Sequence, residues 1–141
     1  MHPLENPTYD EALDYRNKYQ KILSEMSRWP RGCDAWLKLD MDLRKAIPPG
    51  IYRHFKSSDE SEKLYAIIGV SNSTEDDGIY TVQYASLYPP HAGRLAGRPL
   101  LGESGFLTPV KRETHSGARF VLVSMFSSVE VMKIISGESL I

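Results

Sequence analysis

One cysteine, Cys33, is the whole thiol complement of these 141 residues, so no disulfide can close within the chain. Long apolar runs are missing too. None approaches the roughly 20 residues that a membrane-spanning helix needs, and the start, Met1-His-Pro-Leu-Glu-Asn, lacks the apolar stretch of a secretory leader. The expectation is a soluble protein of the reducing cytoplasm with no membrane partner. Charge of one sign is not in excess either: 17 basic side chains stand against 18 acidic ones, a formal balance of −1. Without a cationic surplus the chain lacks the general attraction to phosphate backbones, which excludes duplex DNA as the expected partner.

Catalytic and metal-binding signatures are also lacking. His2, His54, His91 and His115 are scattered, with no ligand spacing and no motif that ties a nucleophile to a base, so neither a metal nor a cofactor is expected. Asp76-Asp77-Gly78 reads as a turn rather than a calcium loop.

What is present suffices for one core. A hydrophobic fraction of 41% over 141 residues predicts a single domain, 1–141. Asn6-Pro7-Thr8 is a helix start, because Asn or Thr can cap the first free N–H groups while Asp10 and Glu11 suit the positive dipole end. Tyr9, Ala12, Leu13, Tyr19, Ile22, Leu23 and Met26 recur at helical steps and predict a helix near 8–28. Trp29-Pro-Arg-Gly32 breaks it. A second helix begins from an Asp34 cap, with Trp36, Leu39 and Leu43 on one face, and Pro48-Pro49-Gly50 stops it. This hairpin, 8–46, must pack on the remainder of the chain, and its Trp29 and Trp36 are expected between the two layers.

After Gly50 the period changes to that of strands, expected near 51–56, 63–70, 79–88, 105–111 and 118–125. Polar turns separate them, and 89–104 reads as one long loop. Five short antiparallel strands suggest a meander that curls into a barrel over 49–125, since closure removes exposed edges. Ser127 and Glu130 resemble a capping box that opens a terminal helix at 127–137. The fold expected is thus α+β: a helical hairpin packed on a small five-stranded antiparallel β-barrel, with a short C-terminal helix.

Four blocks carry a resemblance: Pro49-Gly-Ile-Tyr-Arg-His-Phe-Lys56, Tyr65-Ala-Ile-Ile-Gly-Val70, Val82-Gln-Tyr-Ala-Ser-Leu-Tyr88 and Leu95-Ala-Gly-Arg-Pro-Leu100. Over about 49–124 the chain resembles the domain of unknown function 1653 family, whose members read like P-G-x-Y-R-H-Y-K in the first block and L-W-V-R-P-L in the last. Ala96 and Gly97 stand where that family has tryptophan and valine. The resemblance implies an SH3-like barrel and supplies no function. The hairpin lies outside it.

In a strand at 51–56, Tyr52 and His54 share one face and Arg53 takes the other; in 79–88, Tyr80, Val82, Tyr84 and Tyr88 share a face. Should the tyrosine-bearing faces converge, they form either barrel core or a groove for an extended peptide, a ring or a base. The loop after them carries His91, Arg94 and Arg98, which can supply positive charge to an anion, while Arg98 can equally pair inside the fold. The candidate ligand residues are therefore Tyr52, Arg53, His54, Tyr84, Tyr88, His91, Arg94 and Arg98. The reading is a non-catalytic small-barrel binding module for a protein segment or small anionic ligand. One alternative is a small hydrolase or isomerase using His54 as base and Arg98 as anion clamp; another is single-stranded RNA binding by aromatic stacking.

Overall fold

Thr8 and Glu11 form the reciprocal capping box that starts the first helix, α1 (Tyr9–Met26): the Glu11 N–H donates to Thr8 Oγ1 while the Glu11 carboxylate accepts from the Thr8 N–H. This computed structural model describes residues 2–58, 60–72, 79–90, 92–112 and 115–136. The second helix, α2 (Asp34–Arg44), runs back against α1, and Cys33 rather than Asp34 occupies its N-cap position. Tyr15 on α1 donates its hydroxyl to the Ala46 carbonyl at 2.6 Å, which ties the two helices together just past the end of α2.

Among the described residues seven strands come next: β1 (Gly50–His54), β2 (Leu64–Asn72), β3 (Tyr80–Ser86), β4 (Leu95–Pro99), β5 (Val110–Lys111), β6 (Ser116–Gly117) and β7 (Phe120–Met125). Five of them build one antiparallel sheet in the order β4-β3-β2-β1-β7, while β5 and β6 form a separate small ribbon. A last helix, α3 (Ser128–Ser136), opens on the expected Ser127–Glu130 capping box. The expected end of this helix at 137 lies outside the described residues, as does the turn expected at Asp76-Asp77-Gly78.

The mixed α+β class and the strand-rich second half agree with the sequence expectation. The closed barrel does not: the sheet is open, with β4 at one edge and β7 at the other. One reason lies at the β7 edge, where the Leu122 N–H donates to the Leu4 carbonyl at 2.8 Å, so the segment ahead of α1 covers an edge that a barrel would pair with β4. The fourth strand of the sheet is also not the expected one. It is Leu95–Pro99, inside the predicted long loop, whereas 105–111 contributes only Val110–Lys111 as a strand. Phe106 and Leu107 are buried instead by a fold-back, with the Phe106 N–H on Pro99 O and the Leu107 N–H on Leu100 O.

Direct pairing puts Tyr52, Tyr65 and Leu122 side by side, and likewise His54 with Phe120, Ile67 with Tyr84, and Val82 with both Val70 and Arg98. A bulge at Ile68 shifts the alternation by one residue, so Ile67 and Val70 both face the same side. This inner face meets the helical hairpin, and the two share one core that includes Tyr19, Met26, Trp36, Leu43, Ile47, Tyr52, Ile67, Val82, Leu100 and Phe106. Trp36 is buried as expected. Trp29 is not: it stands 47% exposed in the turn between the helices. The layers are also joined by a polar bond, since the Tyr80 hydroxyl donates to the buried Asp40 carboxylate at 2.5 Å and Arg44 Nε donates to the other oxygen at 3.0 Å.

Candidate binding site

The two tyrosine-bearing faces do converge, and the hairpin covers only part of the surface they make. Tyr52 falls under that cover. It is 0% exposed and donates its hydroxyl to the Pro48 carbonyl at 2.7 Å, so the candidate ligand role for Tyr52 is corrected to a core role. Burial pushes its hydroxyl pKa up.

Beyond Tyr52 the inner face opens. Tyr65, Tyr84, Ser86, Tyr88, Arg94, Leu95 and Ala96 line a recess of about 220 Å³. The Tyr65 and Tyr88 hydroxyls share a hydrogen bond at 2.6 Å, and Tyr65 packs edge-on against both Tyr84 and Tyr88. Burial, then the bond to Tyr88, raises the Tyr65 pKa, so its hydroxyl stays neutral at pH 7. Tyr84 and Tyr88 thus stand where the sequence reading placed them, on one recess, and Arg94 joins them at its rim. His91 lies outside the described residues.

A second group of rings adjoins this recess through Tyr65. Phe120 packs on Tyr65, edge-on to His54 and stacked on Phe106 at 4.3 Å. The Arg98 guanidinium lies 5.5 Å from the Phe120 ring centre and donates to the Ser104 carbonyl at 2.6 Å. Arg98 therefore has the internal carbonyl partner that the folding reading required. Arg53, on the outer side of β1, reaches Glu62 at 3.9 Å.

His54 is half-buried beside these groups. Its Nδ1 accepts the Lys56 N–H at 3.1 Å. Burial first, and then the positive charges of Arg98, Lys56, Arg119 and Lys63, bring its pKa down to about 4, so the ring is neutral at pH 7. The same field acts on Arg119, whose pKa is lowered by burial and by Arg98 and Arg112. Among the described residues, neither Arg98, Arg112 and Arg119 nor Lys56 and Lys63 has a carboxylate in salt-bridge contact. A chain with no net positive charge has gathered five cations at one end of its sheet.

Several of these residues escaped the sequence reading. Tyr65 was legible as a strand residue, but only the register opposite Tyr52 assigns it to the inner face. Arg112 and Arg119 flank the expected turn at 114–117, so that turn was a signal that they come together. Phe120 carried no signal beyond its place in a strand. No group of three His, Cys, Asp or Glu among the described residues is placed to hold a metal ion, and no helix among them is long and apolar enough to cross a membrane.

No protein-family model, no curated protein and no solved structure matches the chain.

Proposed function

We propose that this protein is a non-catalytic binding module for an anionic ligand, either a small molecule or an acidic protein segment, held at the open end of the inner face. The observation that carries this reading is the positive field over aromatic rings, formed by Arg98, Arg119, Lys56 and Lys63 around His54 with no carboxylate in salt-bridge contact among the described residues. An anion at the mouth of the recess would relieve like-charge repulsion that the fold itself leaves standing. Tyr65, Tyr84 and Tyr88 would bound its apolar part, with Arg94 of the recess and Arg98 over the adjoining Phe120 ring on the charged part. The SH3-like reading and the family resemblance belong to the same proposal. A four-strand meander whose first strand also pairs with the last is the pairing of a small barrel, short of bonds between β4 and β7.

Binding is favoured over the hydrolase or isomerase reading by the state of His54. A base whose pKa is near 4 is poorly matched to proton transfer at neutral pH, and its Nδ1 is already engaged by the Lys56 N–H. Single-stranded RNA is the second reading, favoured by the same grouping of cations around rings, which offsets the near-zero net charge.

The test is a thermal-shift series with small dicarboxylates, phosphates, acidic peptides and a uridine oligomer, since saturating ligand raises stability by linkage. A rise with the anions that is lost in the Tyr84→Ala, Arg94→Gln double variant supports the module. A rise confined to the oligomer and abolished by salt moves the reading to RNA. Shifts that survive the double variant place the site elsewhere.

A further inference from the structure

Just past β1 the side chain of Phe55 enters a cleft of about 560 Å³ lined also by Arg53, His54, Lys56, Ser58 and His115. Three cations are arranged on this one ring. The guanidinium carbon of Arg112 lies 5.3 Å from the ring centre, that of Arg119 5.6 Å, and Lys56 Nζ 5.8 Å. The His115 ring lies beside it, its centre 5.8 Å away. Arg119 Nε is buried and has no hydrogen-bond partner, an N–H donor kept from water and not used by the fold. Among the described ion pairs Glu62 serves Arg53 alone.

Contact with a ring face attracts a cation only weakly where water can reach it. It does not account for three cations brought together at a buried, unfilled donor. We propose that the cluster of cations around Phe55, beside this cleft, binds a phosphoryl group as its dianion, with Arg119 and Arg112 as the two guanidinium contacts and Lys56, which lines the cleft, as the third positive charge. The inference rests on the reading of this end of the sheet as an anion site and names the chemical class of the anion. A planar monoanionic carboxylate satisfies one guanidinium and leaves the other cations facing one another. A tetrahedral dianion presents three terminal oxygens and two charges, enough to engage Arg112, Arg119 and Lys56 together. Ser58 adds a hydroxyl at the rim: its oxygen accepts the Ser61 N–H, and its own proton is left to donate.

The experiment is isothermal titration of the full chain with inorganic phosphate, phosphoserine, AMP and acetate at fixed ionic strength, together with the Arg119 Nε–H resonance followed by NMR. Phosphate-bearing probes should bind at least about tenfold more tightly than acetate and should move that resonance. Arg112 is exposed, so Arg112→Gln leaves the fold intact and still tests the cleft. Arg112→Gln and Arg119→Gln should each weaken phosphate binding about tenfold. AMP binding more tightly than phosphoserine would identify a nucleotide-like source, and the reverse order a phosphorylated protein segment. Acetate binding as tightly as phosphate would overturn the phosphoryl assignment and leave the anion module standing. Binding by none of the four, with none of the wider anion series raising stability, would overturn both.

Discussion

The Arg98 guanidinium on β4 lies 5.5 Å over the Phe120 ring on β7, so side chains join the two edge strands of a sheet whose backbones do not pair there. The same guanidinium holds the Ser104 carbonyl. Arg98 therefore supports the fold at the place where the open inner face begins.

Replacing it tests that role. Arg98→Ala removes a charge-assisted hydrogen bond and a ring contact at a partly exposed position, so a loss of about 1–2 kcal/mol in urea denaturation is expected. A variant with unchanged stability and a lost ligand response would assign Arg98 to the binding site alone.

The buried bond between Tyr80 and Asp40 should matter more than any surface pair. Tyr80→Phe keeps the ring and removes the donor that faces the Asp40 carboxylate, leaving that oxygen short of a partner. The expected loss is about 1–3 kcal/mol. Equal midpoints for the variant and the parent protein would show that the hairpin is held to the sheet by apolar packing alone.

His54 makes stability depend on pH in a defined direction. Its folded pKa of about 4 lies below the ordinary 6.5, so between these values the unfolded chain binds a proton that the folded chain refuses. The contribution is present in full above pH 6.5 and is lost as pH falls toward 4. His54→Gln should flatten this part of the profile, with His2, whose pKa is also lowered, as a smaller remainder. An NMR titration of the His54 ring with a midpoint near 6.5 would contradict the burial argument.

Two glycines separate close approach from tolerance. A Cβ at Gly50 would strike the Ser124 carbonyl of the paired β7, whereas one at Gly69 meets nothing within 4 Å. Gly50→Ala should cost more than about 2 kcal/mol, because backbone must shift to admit the methyl. Gly69→Ala should change the melting temperature little, and a large loss there would mean that the bulge in β2 is not as described.

Local signals were legible where one short stretch of chain carries them whole. The helix start at Asn6-Pro7-Thr8, the Ser127–Glu130 capping box, the helical stripe of α1 and the alternation in β1 and β3 each lie within a few residues. β4 was missed because an edge strand with solvent on most sides needs no apolar alternation: Leu95 is 73% exposed, and Ala96-Gly97 has little strand character. The apolar residues at 105–111 misled for the opposite reason. Phe106 and Leu107 are buried, but by a fold-back onto Pro99 and Leu100 that hydrophobicity alone does not distinguish from a strand.

The sequence by itself determined where helix gives way to strand, where the first and last helices begin, and that Tyr52 and His54 share a face, because these depend on neighbours along the chain. Only the tertiary structure decided that Tyr52 is core while Tyr84 and Tyr88 line an open recess, and that Arg98, Arg112 and Arg119 surround His54 and Phe55. Burial and charge clustering depend on which segment covers which face and on the register between strands. Those are set by contacts between residues far apart in sequence, and no local pattern encodes them.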